Sequence, residues 1–247
     1  MVFLFLLAST FAYPSDERVR ERVFLQGVPD GYLKEMKFVL ENYTVKRGWE
    51  GFTFRSKKSI LLFLLDRLPL AASMARSLKL SRYVVLKKGE NSYYLDNQNG
   101  LTGNFKLIYN KDNIRIYWGE GEYNGWIIRG LEARGFTYIR YRENVQDGKT
   151  YVVNDFYSYF HVEESITAFL IRVVDTILRL LADREINQSI EAARVVSEML
   201  AKEPQKLYEK IREDKFITQR DLEEFRKEFL SSESRLRLSK SSPKTGP

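Results

Sequence analysis

The sequence predicts an α+β domain: one large antiparallel sheet followed by a long C-terminal helix. Three observations carry that prediction. From Arg82 to Val162 apolar and polar residues alternate between recurrent turn signals. From Lys57 to Leu80, and again from Glu163 to about Ile211, apolar residues instead recur at spacings of three and four. The charged stretches are short and of mixed sign, so most of the chain must fold around a core.

The strand region divides at Lys88-Gly89-Glu90-Asn91, Asp96 to Gly100, Asn110 to Asn113, Tyr123-Asn124-Gly125 and Gln146-Asp147-Gly148. Strands are expected near 82–87, 91–95, 102–109, 113–120, 126–142 and 149–162. Spacers this short make consecutive hairpins, hence a meander. Alternation then sorts faces. Phe105, Leu107 and Tyr109 share one, as do Ile114, Ile116 and Trp118, with Arg115 opposite the latter set. Ile139 and Tyr141 oppose Arg140 and Arg142, and Phe156 and Phe160 oppose Asp155 and His161. One apolar sheet face must therefore be covered. The cover is the stripe Ile166, Phe169, Leu170, Val173, Ile177, Leu180 and Leu181, continued by Ile190, Ala193, Val196 and Leu200. A stretch this long should bend near Ala182 to Glu185.

Before the sheet, Leu61, Leu65, Leu68, Ala72, Ala75 and Leu78 mark a helix that Pro69 should kink or split. Asp66, Arg67 and Arg76 within this apolar run argue against a membrane span. Residues 32–40 have helical spacing, and 43–54 contain β-formers interrupted by Arg47-Gly48 and Glu50-Gly51, which suits one short strand or hairpin. After Pro204 a further helix is expected from Asp221 to Phe229, with Thr218 as its N-cap. The last residues, rich in Ser, Lys, Pro and Gly, are expected to be disordered.

At the N-terminus, the run Val2 to Ala8 followed by Thr10 and Ala12 resembles a signal peptide, although no positive residues precede it. Export would place the mature chain outside the cytoplasm.

Composition excludes several chemistries. The chain has no Cys and a single His, His161, which removes disulfides, thiolate nucleophiles and histidine-rich metal sites. The net charge is +7, but Lys and Arg are interspersed with Glu and Asp, and no aromatic-and-basic motif speaks for nucleic acid. Gly119, Gly121 and Gly125 do not fit a phosphate loop and are expected to form a hairpin turn. His161 and Asp155 lie six residues apart on one strand face, out of hydrogen-bond reach. Glu120, Glu122 and Glu132 are expected to be solvated rather than a carboxylate pair. Arg129, Arg134, Arg140 and Arg142 are either an anionic-membrane or head-group site or an outer polar face with Glu partners. No catalytic, metal or cofactor residues are assigned.

The order of elements — an N-terminal helix pair, a curved meander, then a strand like Asp155 to Val162 running into a helix like Ser165 to Leu200 — resembles the helix-grip, or START-like (polyketide cyclase-like, SRPBCC), superfamily, in particular its bacterial exported members. That resemblance implies a curved antiparallel sheet wrapped around the long C-terminal helix, with a hydrophobic pocket between them. Its expected lining is Phe105, Leu107, Ile114, Ile116, Trp118, Ile139, Tyr141, Phe156, Phe160, Phe169, Val173 and Ile177. The expected division is a signal peptide (1–12), an N-terminal extension (13–56), the helix-grip domain (57–204), C-terminal helices (205–230) and a tail (231–247). The expected function is non-enzymatic binding of a hydrophobic small molecule or lipid. A protein partner docking on the C-terminal helices is the alternative, and a cyclase or hydrolase activity ranks below both.

Overall fold

The computed structural model describes residues 25, 27–125, 129–163 and 188–231. Its centre is a seven-stranded, wholly antiparallel sheet: β1 (Val45–Arg55), β2 (Val84–Gly89), β3 (Ser92–Asp96), β4 (Leu101–Lys111), β5 (Ile114–Tyr123), β6 (Leu131–Gln146) and β7 (Lys149–Val162). The order across the sheet is β1-β7-β6-β5-β4-β3-β2. Strands β2 to β7 form the expected meander, and β1, the first strand in the chain, pairs with the last.

Two hairpins close on the tightest turns available. Asp112-Asn113 and Asp147-Gly148 both have positive φ at both residues, the conformation whose twist matches the flanking strands. The interrupted segment 43–54 forms the single strand β1. Its pairing slips between Trp49 and Phe52, and Gly51, at φ +67°, takes up the extra residue of the bulge.

Helices cover both faces. Helix α1 (Asp30–Asn42) buries Met36, Val39 and Leu40 against one face, with Ile116, Trp118, Phe136, Tyr138, Tyr157 and Tyr159 beneath it. Phe38 points outward and packs beside His161 and Arg134. We call this the outer face. The opposite, inner face carries α2 (Lys58–Asp66), whose Leu61 packs with Phe54, Tyr141 and Val152. Helix α3 (Leu68–Ser77) follows after a break at Arg67, and Pro69 occupies its first turn, where a missing N–H leaves no hydrogen bond unmade.

Residues 188–202 are helical (α4) and lead into α5 (Pro204–Ile211) and α6 (Gln219–Phe225), which ends in a π-turn at Arg226–Leu230. Thr218 caps α6 with a reciprocal box: its hydroxyl accepts from the Asp221 N–H, and the Asp221 carboxylate accepts from the Thr218 N–H. These C-terminal helices share one buried cluster with α2 and α3, built on Leu64, Leu70, Met74, Leu200, Leu207, Ile211 and Phe225. The stripe expected from Ile166 to Leu181, the bend at 182–185 and the N-terminal apolar run lie outside the described residues. No described helix is long and apolar enough to cross a membrane.

Candidate functional site

The strand registers place the expected lining residues on two faces. Leu107 stands opposite Tyr117, while Ile116 stands opposite Tyr138 and Trp118 opposite Phe136. Phe105, Leu107, Ile139, Tyr141, Phe156 and Phe160 therefore face inward. Ile114, Ile116 and Trp118 face outward, under α1. The expectation of one shared face fails because the sheet is apolar on both sides, and alternation cannot say which side is which. A bulge between Leu107 and Tyr109 adds a second slip and turns Tyr109 to the outer face, away from Phe105 and Leu107. Phe169, Val173 and Ile177 lie outside the described residues.

The two faces differ in packing. On the outer face Ile116 and Phe136 are each 1% exposed, and Phe136 stacks on Tyr159 with ring centroids 5.2 Å apart. On the inner face burial is uneven: Phe54, Tyr93, Tyr117, Tyr141 and Val152 are buried, while Phe105, Leu107, Ile139, Phe156 and Phe160 are only half-buried. Aromatic rings run across this face from strand to strand: Tyr93 stacks on Phe105 at 5.1 Å, and Phe105 meets Tyr117 edge-on at 5.9 Å. Glycines sit among them. Gly103 opposes Gly121, and Gly119 opposes Gly135. Gly119 and Gly121, expected in a hairpin turn, are thus strand residues, and the β5–β6 connection begins only at Asn124. Their backbones approach closely: a Cβ on Gly135 would lie 2.1 Å from the Tyr159 carbonyl oxygen.

Among the described residues one charged side chain is buried on the inner face. Arg115, assigned by alternation to a solvated face, is 2% exposed. Its Nη2 donates to Asp66 Oδ1, the last residue of α2, at 2.5 Å, and that carboxylate is half exposed. Among the described residues Arg115 Nε and Nη1 and the Tyr117 hydroxyl complete no hydrogen bond. Burial pushes the Tyr117 phenol up to about 12, although the neighbouring Arg115 charge pulls the other way. Burial opposes the Arg115 charge, but the Tyr117 and Asp66 oxygens outweigh it and hold its pKa above the ordinary value. Deeper in the same face, the hydroxyls of Thr137 and Ser158 bond to each other at 2.9 Å. The signal that could have found Arg115 is Ile114-Arg115-Ile116-Tyr117-Trp118, a run with too few polar residues for a strand that is wet on one side.

The remaining candidates lie on the outer face. Arg140 and Arg142 bind Asp155, and Arg134 binds Glu35 at 3.0 Å and Glu163 at 3.2 Å. Three of the four arginines are thus paired with carboxylates there, while Arg129 is exposed. His161 donates from Nδ1 to the Asn42 carbonyl at 2.6 Å, a structural tie between β7 and the end of α1. Glu120, Glu122 and Glu132 line an open cleft of about 410 Å³ with Glu163 and Arg134. Among the described residues no cluster of His, Asp and Glu is arranged to hold a metal.

No family model matches the chain, and no curated protein matches it. Among solved structures, a conserved protein from Geobacillus kaustophilus aligns at 14% identity and a TM-score of 0.44, over 63% of this chain and 97% of that one. The di-domain ARO/CYC BexL from the BE-7585A biosynthetic pathway aligns at 11% identity and a TM-score of 0.43, over 73% of this chain. The alignment spans 58% of BexL. At these scores neither likeness fixes a function.

Proposed function

We propose that this chain is a helix-grip domain that binds a hydrophobic molecule against the inner face of its sheet, without catalysing a reaction on it. The observation that carries the reading is the contrast between the two faces. Helix α1 seals the outer aromatics into solid core, while Phe105, Leu107, Ile139, Phe156 and Phe160 stay half-buried on the inner face. Half-buried aromatic and aliphatic surface around a few polar groups is what a small-molecule site requires. The topology supports the same reading: a meander whose last strand returns to pair with the first, with α2 across one face.

The apolar faces of α5 and α6 are spent on α2 and α3, which favours ligand binding over docking of a partner protein on those helices. An extracytoplasmic site of action is part of the proposal and rests on the apolar run Val2 to Ala8. Sequencing the N-terminus of the protein recovered from its native host should find a chain starting near Tyr13, and a chain retaining Met1 would overturn that part. Native mass spectrometry with organic extraction tests the binding. A co-purifying apolar molecule is expected. A clean apo mass, with no uptake of a fluorescent fatty-acid probe, overturns the proposal.

A further inference from the structure

We infer that the ligand is an amphiphile with an anionic end, and that Arg115 and Tyr117 hold that end; this rests on the hydrophobic-binding reading above. Arg115 is the only charged residue among the described residues of β5 that is buried. A guanidinium offers five N–H donors, and Arg115 has two neighbours for them: Asp66 at Nη2 and the Tyr117 oxygen. Its Nε and Nη1 and the Tyr117 hydroxyl are buried without partners. Each such donor costs about 1–3 kcal/mol relative to a satisfied one, so an arginine and a tyrosine here are a poor choice for stability alone.

Asp66 does not account for the pair. It is half exposed, and it closes α2, where the helix dipole disfavours a negative charge. It binds the guanidinium at Nη2 and makes no hydrogen bond to Nε or Nη1. The guanidinium nitrogens only donate and carry a full positive charge, while the Tyr117 hydroxyl beside them can accept from Arg115 and donate onward. An oxyanion suits that set better than a neutral acceptor does. Directly beside it the surface turns apolar: Phe105 meets Tyr117 edge-on, and Leu107 stands opposite Tyr117 in the register. A charged anchor bordered by aromatic and aliphatic wall fits a molecule with one carboxylate-like end and an apolar body. Alternation along β5 puts Gly119 next on the same face, where an added Cβ would make only ordinary contact, with Phe105 at 3.5 Å.

Anthroyloxy-labelled stearic acid and its methyl ester separate the two layers of the idea. The protein should bind the acid more tightly than the ester. Arg115→Met should weaken acid binding about 10- to 100-fold, the worth of a hydrogen bond to a charged group, and leave the ester unchanged. Tyr117→Phe keeps the charge and removes one donor, and should weaken the acid several-fold without touching the ester. If both probes bind but neither variant changes the ratio of acid to ester, the anionic-end inference falls and the hydrophobic-binding reading stands. If the unmodified protein binds neither probe, the binding reading falls and takes the inference with it. Should Arg115→Met lose its near-ultraviolet circular dichroism, Tyr117→Phe decides alone, and an unchanged ratio in that variant overturns the inference.

Discussion

Arg140 stands directly opposite Asp155 across the β6–β7 pairing. Both its Nε, at 2.9 Å, and its Nη2, at 2.7 Å, donate to Asp155 Oδ2, while Oδ1 accepts from the Gly51 N–H at 2.8 Å. One buried carboxylate thus ties together the three strands at the β1 edge of the sheet.

That tie should be visible in the acid limb of stability. Burial acts to raise the Asp155 pKa, but the Gly51 N–H and the Arg140 and Arg142 charges overcome it and hold the group below its ordinary 3.8. A folded pKa below the unfolded one means stability that is complete above the unfolded value and lost progressively as pH falls from there through the folded value. Asp155→Asn should cost about 1.5–3 kcal/mol at neutral pH. Urea denaturation at a series of pH values checks both points: the gap between the two proteins should narrow below about pH 4. A gap that stays constant down to pH 2 would show that the charge is irrelevant.

The glycines of the inner face should respond unequally to alanine. At Gly135 the new Cβ would meet the Tyr159 carbonyl at 2.1 Å and the Phe160 ring at 2.6 Å. Backbone cannot move aside cheaply, so Gly135→Ala should destabilise by about 1–3 kcal/mol. At Gly119 the nearest atom would be the Phe105 Cβ at 3.5 Å, an ordinary contact, and Gly119→Ala should be close to neutral. Thermal melts of the two variants side by side decide it, and equal losses would refute the geometry.

Enlarging an aliphatic residue should separate the faces. Ile116→Trp forces bulk into solid core under α1 and should cost about 1–3 kcal/mol. Ile139→Trp adds bulk where the side chain is already half-buried and should keep most of the stability while reducing fatty-acid probe uptake. A large loss of stability in both variants would mean that the inner face is as solid as the outer one.

The C-terminal helices should behave as part of the domain. Phe225 is fully buried and meets both Tyr208 and Phe229, so Phe225→Ala should cost about 3–5 kcal/mol. Thr218→Ala removes the cap of α6 and should cost about 1 kcal/mol. A single cooperative unfolding transition in both variants, shifted to lower denaturant, is the expected record. A separate early transition would instead mark an independent module.

Much of this arrangement was legible in the sequence because its signals are local. Asp147-Gly148 and Asp112-Asn113 announce turns that only a few residue types can make, and Thr218 announces a helix start. The site was less legible because its signals are relational. Ile116 and Ile139 both alternate correctly along their own strands, but only the register between strands shows that they face opposite ways. Arg115 looked like a solvent residue because alternation assumes a wet side, and on this sheet α1 covers one side and α2 the other. The bulge beyond Leu107 has no compositional mark at all: Leu107, Ile108 and Tyr109 are all ordinary strand formers.

The pairing of the first strand with the last sets the pace at which the chain can fold. Gly51 and Asp155 are 104 residues apart in sequence, so β1 leaves the ribosome long before its partner exists. Local hairpins such as β6–β7 can zip early, whereas closing β1 against β7 requires a long loop to be ordered first. Until then β1 exposes Trp49, Phe52 and Phe54 on an unpaired strand, the form in which a nascent chain is most exposed to misassociation.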